Sequence, residues 1–237
     1  MDRDSENQNL INSDEDYVDP EERKCKKADV IVCSSNGDLD LSGPVGKSIV
    51  KVAGSELLAE IKNKYTGGIQ HGDIAVAKGY KLQCTELYLA ALFNWKPGFE
   101  KQIYKFVNNC LVAAEKDGYR SIAFPALGTG NLHYPCHLVA KYMFDIVEQF
   151  ASNKQKTTLS YVYFVVYEKD SKVIQAFKEE ERKRVPGLHS VNVKSIAGNV
   201  FQVGNLQLSV EKGDILSKTC DALLYGSNEE LDFTKER

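Results

Sequence analysis

Short runs of β-branched and aromatic residues alternate along this chain with segments of helical periodicity, and this alternation constrains the fold most. Ala28 to Cys33 (ADVIVC), Ser121 to Pro125 (SIAFP) and Leu159 to Tyr167 (LSYVYFVVY) are apolar enough for buried strands. Between the first two, apolar residues recur at steps of three and four residues, as on one face of a helix: Ile49, Val52, Ala53, Leu57, Leu58 and Ile61. The pattern predicts an α/β fold with a central, largely parallel sheet covered on both faces.

The start of the chain differs sharply in charge from the rest. Residues 1–22 hold nine acidic residues and one basic residue, and they show no hydrophobic periodicity. Such a segment has too little apolar surface to offset the entropy of ordering it. We therefore expect residues 1–24 to be an acidic disordered tail, followed by one folded domain over residues 25–184.

A second feature is an internal repeat near the end of the chain. Residues 29–42 (DVIVCSSNGDLDLS) align without a gap to residues 221–234 (DALLYGSNEELDFT), with five identities in fourteen positions. The same order of strand and Ser-Asn loop in both copies indicates a duplication. Pro and Gly residues between the copies predict a linker and lead-in strand over 185–205, followed by the truncated start of a second domain over 206–237.

Two loops stand where ligands usually bind in a parallel sheet, after a strand and before a helix. The first runs from Ser34 to Gly46 and begins with the amide side chain of Asn36. The second, from Ala126 to Leu132 (ALGTGNL), contains glycines that allow backbone N–H groups to approach an anion closely, and Thr129 adds a hydroxyl donor. These loops predict a diphosphate site, although a tight structural turn also explains the GTG triplet. Neither loop contains GxxxxGK[ST] or GxGxxG.

Three motifs carry a resemblance to a known family. The segments SSNGDLDLSGPVGKSI, HGDIAVAKGYKL and FPALGTGNLHYP occur in this order between residues 34 and 135. Together they resemble a macrodomain, and are similar to the tandem macrodomains of the large mono-ADP-ribosyltransferases. The resemblance covers residues 27–184 and implies a three-layer α/β/α fold with a mixed sheet. The segment EKGDILSKTCDALLYGSNEELD resembles the entry of a second macrodomain.

The resemblance also implies a set of residues that contact ADP-ribose. Asn36 matches the residue at the distal ribose, and Tyr167 matches the ring that stacks on adenine. The residues matching the loops along the diphosphate are Gly43, Val45, Gly46, Gly128, Thr129, Gly130, Asn131 and Leu132. The counterparts in the second copy are Asp214, Ile215 and Asn228.

Two departures from the family pattern bear on function. The adenine-selecting aspartate is present in the second copy as Asp214, whereas Glu21 and Glu22 occupy that stretch ahead of the first copy. The first copy is thus expected to lack its opening strand. Macrodomains that remove ADP-ribose carry several glycines in the first loop, but this chain has Pro44 there. Proline rigidifies the backbone, which favours a reader of the modification over an eraser.

We therefore expect a non-catalytic module that recognises ADP-ribose or mono-ADP-ribosylated proteins. A mono-ADP-ribosyl hydrolase and a non-binding scaffold fragment remain alternatives, and no catalytic residue is assigned. We expect no metal and no cofactor other than the ligand, no membrane or nucleic-acid partner, and a monomer. Six cysteines without a CxxC pair, behind an N-terminus that lacks an apolar signal segment, predict reduced thiols and a nuclear or cytoplasmic location.

Overall fold

The computed structural model describes residues 28–41, 44–153, 157–184, 193–197 and 200–213. The predicted acidic tail therefore lies outside the described residues. The elements follow in the order β1 (Ala28–Ser35), α1 (Pro44–Ala53), α2 (Ser55–Lys64), β2 (Ile74–Lys78), β3 (Cys84–Ala91), α3 (Glu100–Lys116), β4 (Ser121–Pro125), α4 (Cys136–Ser152), β5 (Tyr161–Val166), α5 (Ser171–Arg184), β6 (Val193–Ala197), β7 (Val200–Val203) and β8 (Leu206–Lys212).

One eight-stranded sheet in the order β2-β3-β1-β4-β5-β8-β7-β6 runs through the molecule. The pairs β3/β1, β1/β4, β4/β5 and β5/β8 are parallel. The pairs β2/β3, β6/β7 and β7/β8 are antiparallel. The central strands are almost wholly apolar, as expected for strands covered on both faces. The predicted α/β class with a mixed, largely parallel sheet and flanking helices is confirmed.

The first helical segment is interrupted where the periodicity predicted a continuous helix. Gly54 has a φ of 99°, a conformation that favours glycine, and it separates α1 from α2. The two helices bury Ile49 and Leu57, whereas Val52 and Leu58 are 38% and 44% exposed. Because of the break, the apolar side chains of Val52 and Leu58 do not face the core.

Aromatic rings join the later helices to the sheet. Helix α4 contacts both α3 and α5. Phe144 of α4 lies edge-on to Phe164 of β5 with ring centroids 5.2 Å apart, and Phe164 lies 5.8 Å from Phe177 of α5. All three side chains are buried. This cluster fixes the end of β5, and with it the position of the residue that follows.

Strands occupy part of the predicted linker and lead-in segment over 185–205. Within that range, β6 and β7 form an antiparallel pair, and β8 then pairs with β5 of the main sheet. The turn signal Gly204 lies in the turn between β7 and β8. The predicted division into two domains stays a prediction.

Helices long and apolar enough to cross a membrane are absent from the part of the chain that the structure describes.

Candidate functional site

The carboxyl ends of four parallel strands define one edge of the sheet. Strands β3, β1, β4 and β5 are consecutive neighbours with the same direction. Neighbouring strands lie about 4.8 Å apart, so the loops that follow them lie side by side. The structure therefore brings together the loop after β1, the loop after β4 and Tyr167 after β5, as the sequence predicted.

Asn36 leaves β1 at this edge and organises the first loop. Its main-chain oxygen accepts the N–H of Leu39 at 3.1 Å, and its Oδ1 accepts the N–H of Asp40 at 2.9 Å. Leu39 is buried and has a φ of 56°, so the turn carries an apolar anchor in a strained conformation. The Asn36 side chain is exposed, and its Nδ2 donates to no described residue. An amide donor is thus available at the end of β1.

Gly46 has a packing reason for being glycine. An added Cβ would lie 2.4 Å from the carbonyl oxygen of Leu41, which is closer than real Cβ contacts allow. Its lack of a side chain therefore lets the first turn of α1 pack closely against the first loop. The resemblance implied a different role for Gly46, as a contact of the diphosphate. Val45 also lies in that first turn. Gly43 lies outside the described residues.

The second loop offers backbone donors. Within the described ranges, six of its N–H groups meet no protein acceptor: those of Ala126, Leu127, Gly128, Gly130, Asn131 and Leu132. The N–H groups of Thr129, His133 and Tyr134 are used within the turn. Consecutive backbone N–H groups of this kind can bind an anion.

Thr129 does not supply the donor that its hydroxyl suggested. Its Oγ1 donates to the carbonyl oxygen of Ala126 at 2.9 Å, and its N–H also points to that oxygen at 3.3 Å. The hydroxyl proton is therefore used to hold the turn. The sequence does not reveal this hydrogen bond, because the position of the Ala126 carbonyl depends on the fold of the loop itself.

Gly128 and Tyr134 fix the shape of the second loop. Gly128 has a φ of 69°, and an added Cβ would lie 2.6 Å from Cδ2 of Tyr134. The Tyr134 ring is 3% exposed, and its hydroxyl has no hydrogen-bond partner among the described residues. Burial raises the pKa of Tyr134 to about 12, so the hydroxyl is neutral at physiological pH. The ring therefore packs against the second loop at Gly128 without adding charge.

The loop after β3 also belongs to this edge, where Trp95 is the rim or packing aromatic that its place after a strand indicates. The N–H of Trp95 donates to the carbonyl oxygen of Leu132 at 2.7 Å, and the Trp95 ring lies 5.2 Å from that of Tyr134. Trp95 follows β3 as the glycine loop follows β4, and this shared position brings the two together. It is also the single tryptophan of the chain.

Tyr167 follows β5 directly and is partly exposed. Its carbonyl oxygen accepts the N–H of Asp170 at 3.1 Å, in the turn that leads into α5. Asp170 in turn accepts the N–H of Val173 on its Oδ1 at 3.1 Å and so caps the helix. This places the Tyr167 backbone firmly at the edge, one strand away from the second loop.

Three cysteines of the described ranges are poor candidates for thiol chemistry. Burial raises the pKa of the Cys33 thiol to about 12 and that of Cys110 well above its usual value. Burial also raises the pKa of Cys136, at the start of α4. These thiols are protonated at neutral pH and are poor nucleophiles. Asp214, Ile215 and Asn228, the counterparts in the second copy, lie outside the described residues.

Comparisons with known proteins agree with this geometry. Residues 32–143 match the sequence model of the family described as "Macro domain". Protein mono-ADP-ribosyltransferase PARP14 of Homo sapiens is 29% identical over 223 residues, which cover 85% of this chain. The chain spans only 12% of the length of that relative.

Solved structures share the fold. A macrodomain of Oceanobacillus iheyensis with ADP superposes with a TM-score of 0.60 at 24% identity, over 68% of this chain and 86% of the other. A Trypanosoma brucei macrodomain in complex with ADP-ribose gives a TM-score of 0.57 at 23% identity, over 65% and 63% of the two chains. The motifs, the family match and the shared architecture agree: residues 32–143 match the macro domain family, and the described residues share the macrodomain fold.

Proposed function

We propose that this chain binds ADP-ribose, free or attached to a protein as a mono-ADP-ribosyl group. The observation that carries the proposal is the row of unpaired N–H groups in the second loop, flanked by Asn36 at the end of β1 and Tyr167 at the end of β5. The ADP-ribose in the related Trypanosoma brucei structure supports the choice of ligand.

Each part of the ligand has a chemical counterpart at this edge. Free N–H groups of Gly128, Gly130 and their neighbours suit the two phosphates, because they donate without bringing a mobile side chain. The Nδ2 of Asn36 is a donor for ribose hydroxyls, and the ring of Tyr167 offers a flat face for the base. Gly43, Val45 and Asp214 are further proposed contacts, on the family resemblance alone.

The broader setting is also a proposal. A reader of mono-ADP-ribosylated proteins in the nucleus or cytoplasm needs no cofactor beyond its ligand and can act as a monomer. The thiols of Cys33, Cys110 and Cys136 form no disulfide within the described residues, which supports a reducing compartment.

Titration of the full chain with ADP-ribose tests the proposal, followed by calorimetry and by the fluorescence of Trp95. The ring of Trp95 packs on Tyr134 under the second loop, so ligand binding there should change its emission. Asn36→Ala is expected to weaken binding at least tenfold, about 1.4 kcal/mol, because a donor to the ribose is lost. Asn153→Ala, at the exposed end of α4, is the matched control and should bind as the wild type does.

Absence of heat and of a fluorescence change, in protein shown to be folded by circular dichroism, would contradict the proposal. A mono-ADP-ribosylated protein as ligand separates the reader from the alternative hydrolase. A reader leaves the modification intact during hours of incubation, whereas a hydrolase releases free ADP-ribose and loses this activity in Asn36→Ala.

A further inference from the structure

We propose that strands β7 and β8, which precede the second repeat in the sequence, complete the macro domain of the first repeat. The end of β8 then borders the part of the ligand site where the adenine base would stack on Tyr167. The part that concerns the site rests on the proposed function. The part that concerns the fold stands on its own.

The order of segments in the sequence makes this pairing unexpected. The repeat aligns residues 29–42, which contain most of β1, with residues 221–234. Strands β7 and β8 lie just ahead of the second copy, and by sequence they belong to it. Ahead of the first copy stands the acidic segment of residues 1–24 instead. The first copy thus uses strands whose sequence position is at the entry of the other copy.

The contact between β8 and β5 is a full strand pairing. Six residue pairs are in parallel register, from Tyr161 opposite Gln207 to Val166 opposite Lys212. The N–H of Gln207 donates to the carbonyl oxygen of Ser160 at 2.8 Å, and the N–H of Gly213 donates to that of Val166 at 3.2 Å. The ladder therefore extends one residue beyond each end of the paired strands.

Apolar burial adds to the backbone pairing. Phe201 and Val203 of β7, and Leu206 and Leu208 of β8, are at most 3% exposed. The turn between the strands brings Gly204, with a φ of 59°, against Ala151 at the end of α4. Burying a side chain of this size contributes about 1.5–3 kcal/mol. The hairpin is thus packed into the core of residues 28–184.

Strand β5 explains why such a cover is needed. Its sequence, YVYFVV, is apolar over its whole length. A long apolar strand at the edge of a sheet offers unpaired N–H and C=O groups to other chains and promotes aggregation. With β8 in place, β5 is an interior strand. The hairpin therefore protects the strand that carries Tyr167.

The direction of β8 links it to the ligand site. Because β8 is parallel to β5, its carboxyl end lies at the same edge as Tyr167. The N–H of Gly213 donates a hydrogen bond to the carbonyl oxygen of Val166, the residue immediately before Tyr167. A base stacked on Tyr167 would therefore have the end of β8 beside it.

Cleavage of the connection tests the inference on the full chain. A protease recognition sequence is inserted between Arg184 and Val193, and the purified protein is cut there. We expect the two fragments to elute together in gel filtration and the affinity for ADP-ribose to stay within twofold of the uncut protein. Separation of the C-terminal fragment, with ADP-ribose binding retained by the rest, would overturn the proposal.

Paired substitutions identify the contact. In the cut protein, Leu206→Asp with Leu208→Asp should release the C-terminal fragment and lower the ADP-ribose affinity at least tenfold, whereas Gln207→Asp, at the half-exposed position between them, should do neither. If the uncut chain binds no ADP-ribose, the proposed function fails. Co-elution of the fragments still decides the strand assignment in that case.

Discussion

At the scale of single residues, the second loop depends on glycine at position 128. Its positive φ and the nearness of Tyr134 are independent constraints, because one arises from the backbone and the other from a neighbouring ring. The shape of the loop in turn sets where the free N–H groups point. A residue that makes no contact with a ligand through a side chain can thus control ligand binding.

Gly128→Ala is expected to lower the free energy of unfolding by about 2–4 kcal/mol, as the cost of a positive φ and of a clash in a tight site. Gly118→Ala isolates the first cost, because Gly118 has a φ of 78° but no atom within 4 Å of an added Cβ. That control should lose only about 1 kcal/mol. Urea unfolding followed by circular dichroism measures both, and equal losses would show that Tyr134 does not restrict the loop.

The hydroxyl of Tyr134 is a second residue-scale feature, since it is buried and no residue that the structure describes forms a hydrogen bond with it. Tyr134→Phe is expected to raise the free energy of unfolding by about 1 kcal/mol, because an unpaired polar group leaves the interior. Tyr65→Phe is the contrast. The Tyr65 hydroxyl accepts the N–H of Val76 at 2.7 Å and donates to its carbonyl oxygen at 3.2 Å.

Thermal or urea unfolding of the two variants provides the measurement. Tyr65→Phe should be destabilised by about 1–2 kcal/mol, as it loses a hydroxyl that is paired twice. A loss of the same size in Tyr134→Phe would show that its hydroxyl has a partner in solution.

At the scale of elements, Arg184 fastens the end of α5 to α4. Its guanidinium pairs with Asp145 and Glu148 of α4 and with Glu180 of α5, and it lies 5.0 Å from the centre of the Phe144 ring. The side chain is 13% exposed. Burial tends to raise the pKa of Glu180, but hydrogen bonds from Lys183 and Arg184 outweigh it and the net direction is downward.

Arg184→Ala is expected to cost about 3 kcal/mol near neutral pH, since three carboxylates lose their shared cation. The control Lys183→Ala should cost at most about 0.5 kcal/mol, because Lys183 is 66% exposed in its pair with Glu180. A carboxyl group whose pKa is lowered by folding stabilises the fold at pH values above its unfolded pKa. This stabilisation is lost as the pH falls through the folded pKa. The difference between wild type and Arg184→Ala should therefore shrink as the pH falls, and a constant difference would contradict the role of the ion pairs.

At the scale of the whole molecule, local sequence patterns predicted the features that depend on residues close together in the sequence. The strand Ser121–Pro125 has the predicted bounds, and the glycine loop lies at the predicted edge. The role of Gly46 depends on the carbonyl of Leu41, and the place of β8 depends on an edge formed about forty residues earlier. Contacts of that kind leave no periodicity in the sequence.

The response of the molecule to alkaline pH follows from its buried ionisable groups. Cys33 lies in the middle of β1, fully buried, and its thiol donates to the carbonyl oxygen of Ser34 at 3.3 Å. Its pKa is raised to about 12 by burial, while burial, followed by the nearby Glu86, raises that of Tyr119 to about 12 as well. The unfolded chain releases these protons at lower pH than the folded chain does. The stability that these groups contribute is therefore fully present at pH values below their unfolded pKa values. It falls as the pH rises toward 12.

Cys33→Ala tests this point, because it removes one such group from the centre of the sheet. Near neutral pH the variant should be less stable by about 1 kcal/mol, from the small cavity it leaves. At about pH 10.5 the wild type should have lost about 2 kcal/mol through Cys33 alone, so the variant should then equal or exceed it. Urea unfolding at several pH values measures both curves. Parallel curves for the two proteins would mean that the Cys33 thiol does not titrate differently in the folded and unfolded chains, and that the centre of the sheet is open to water.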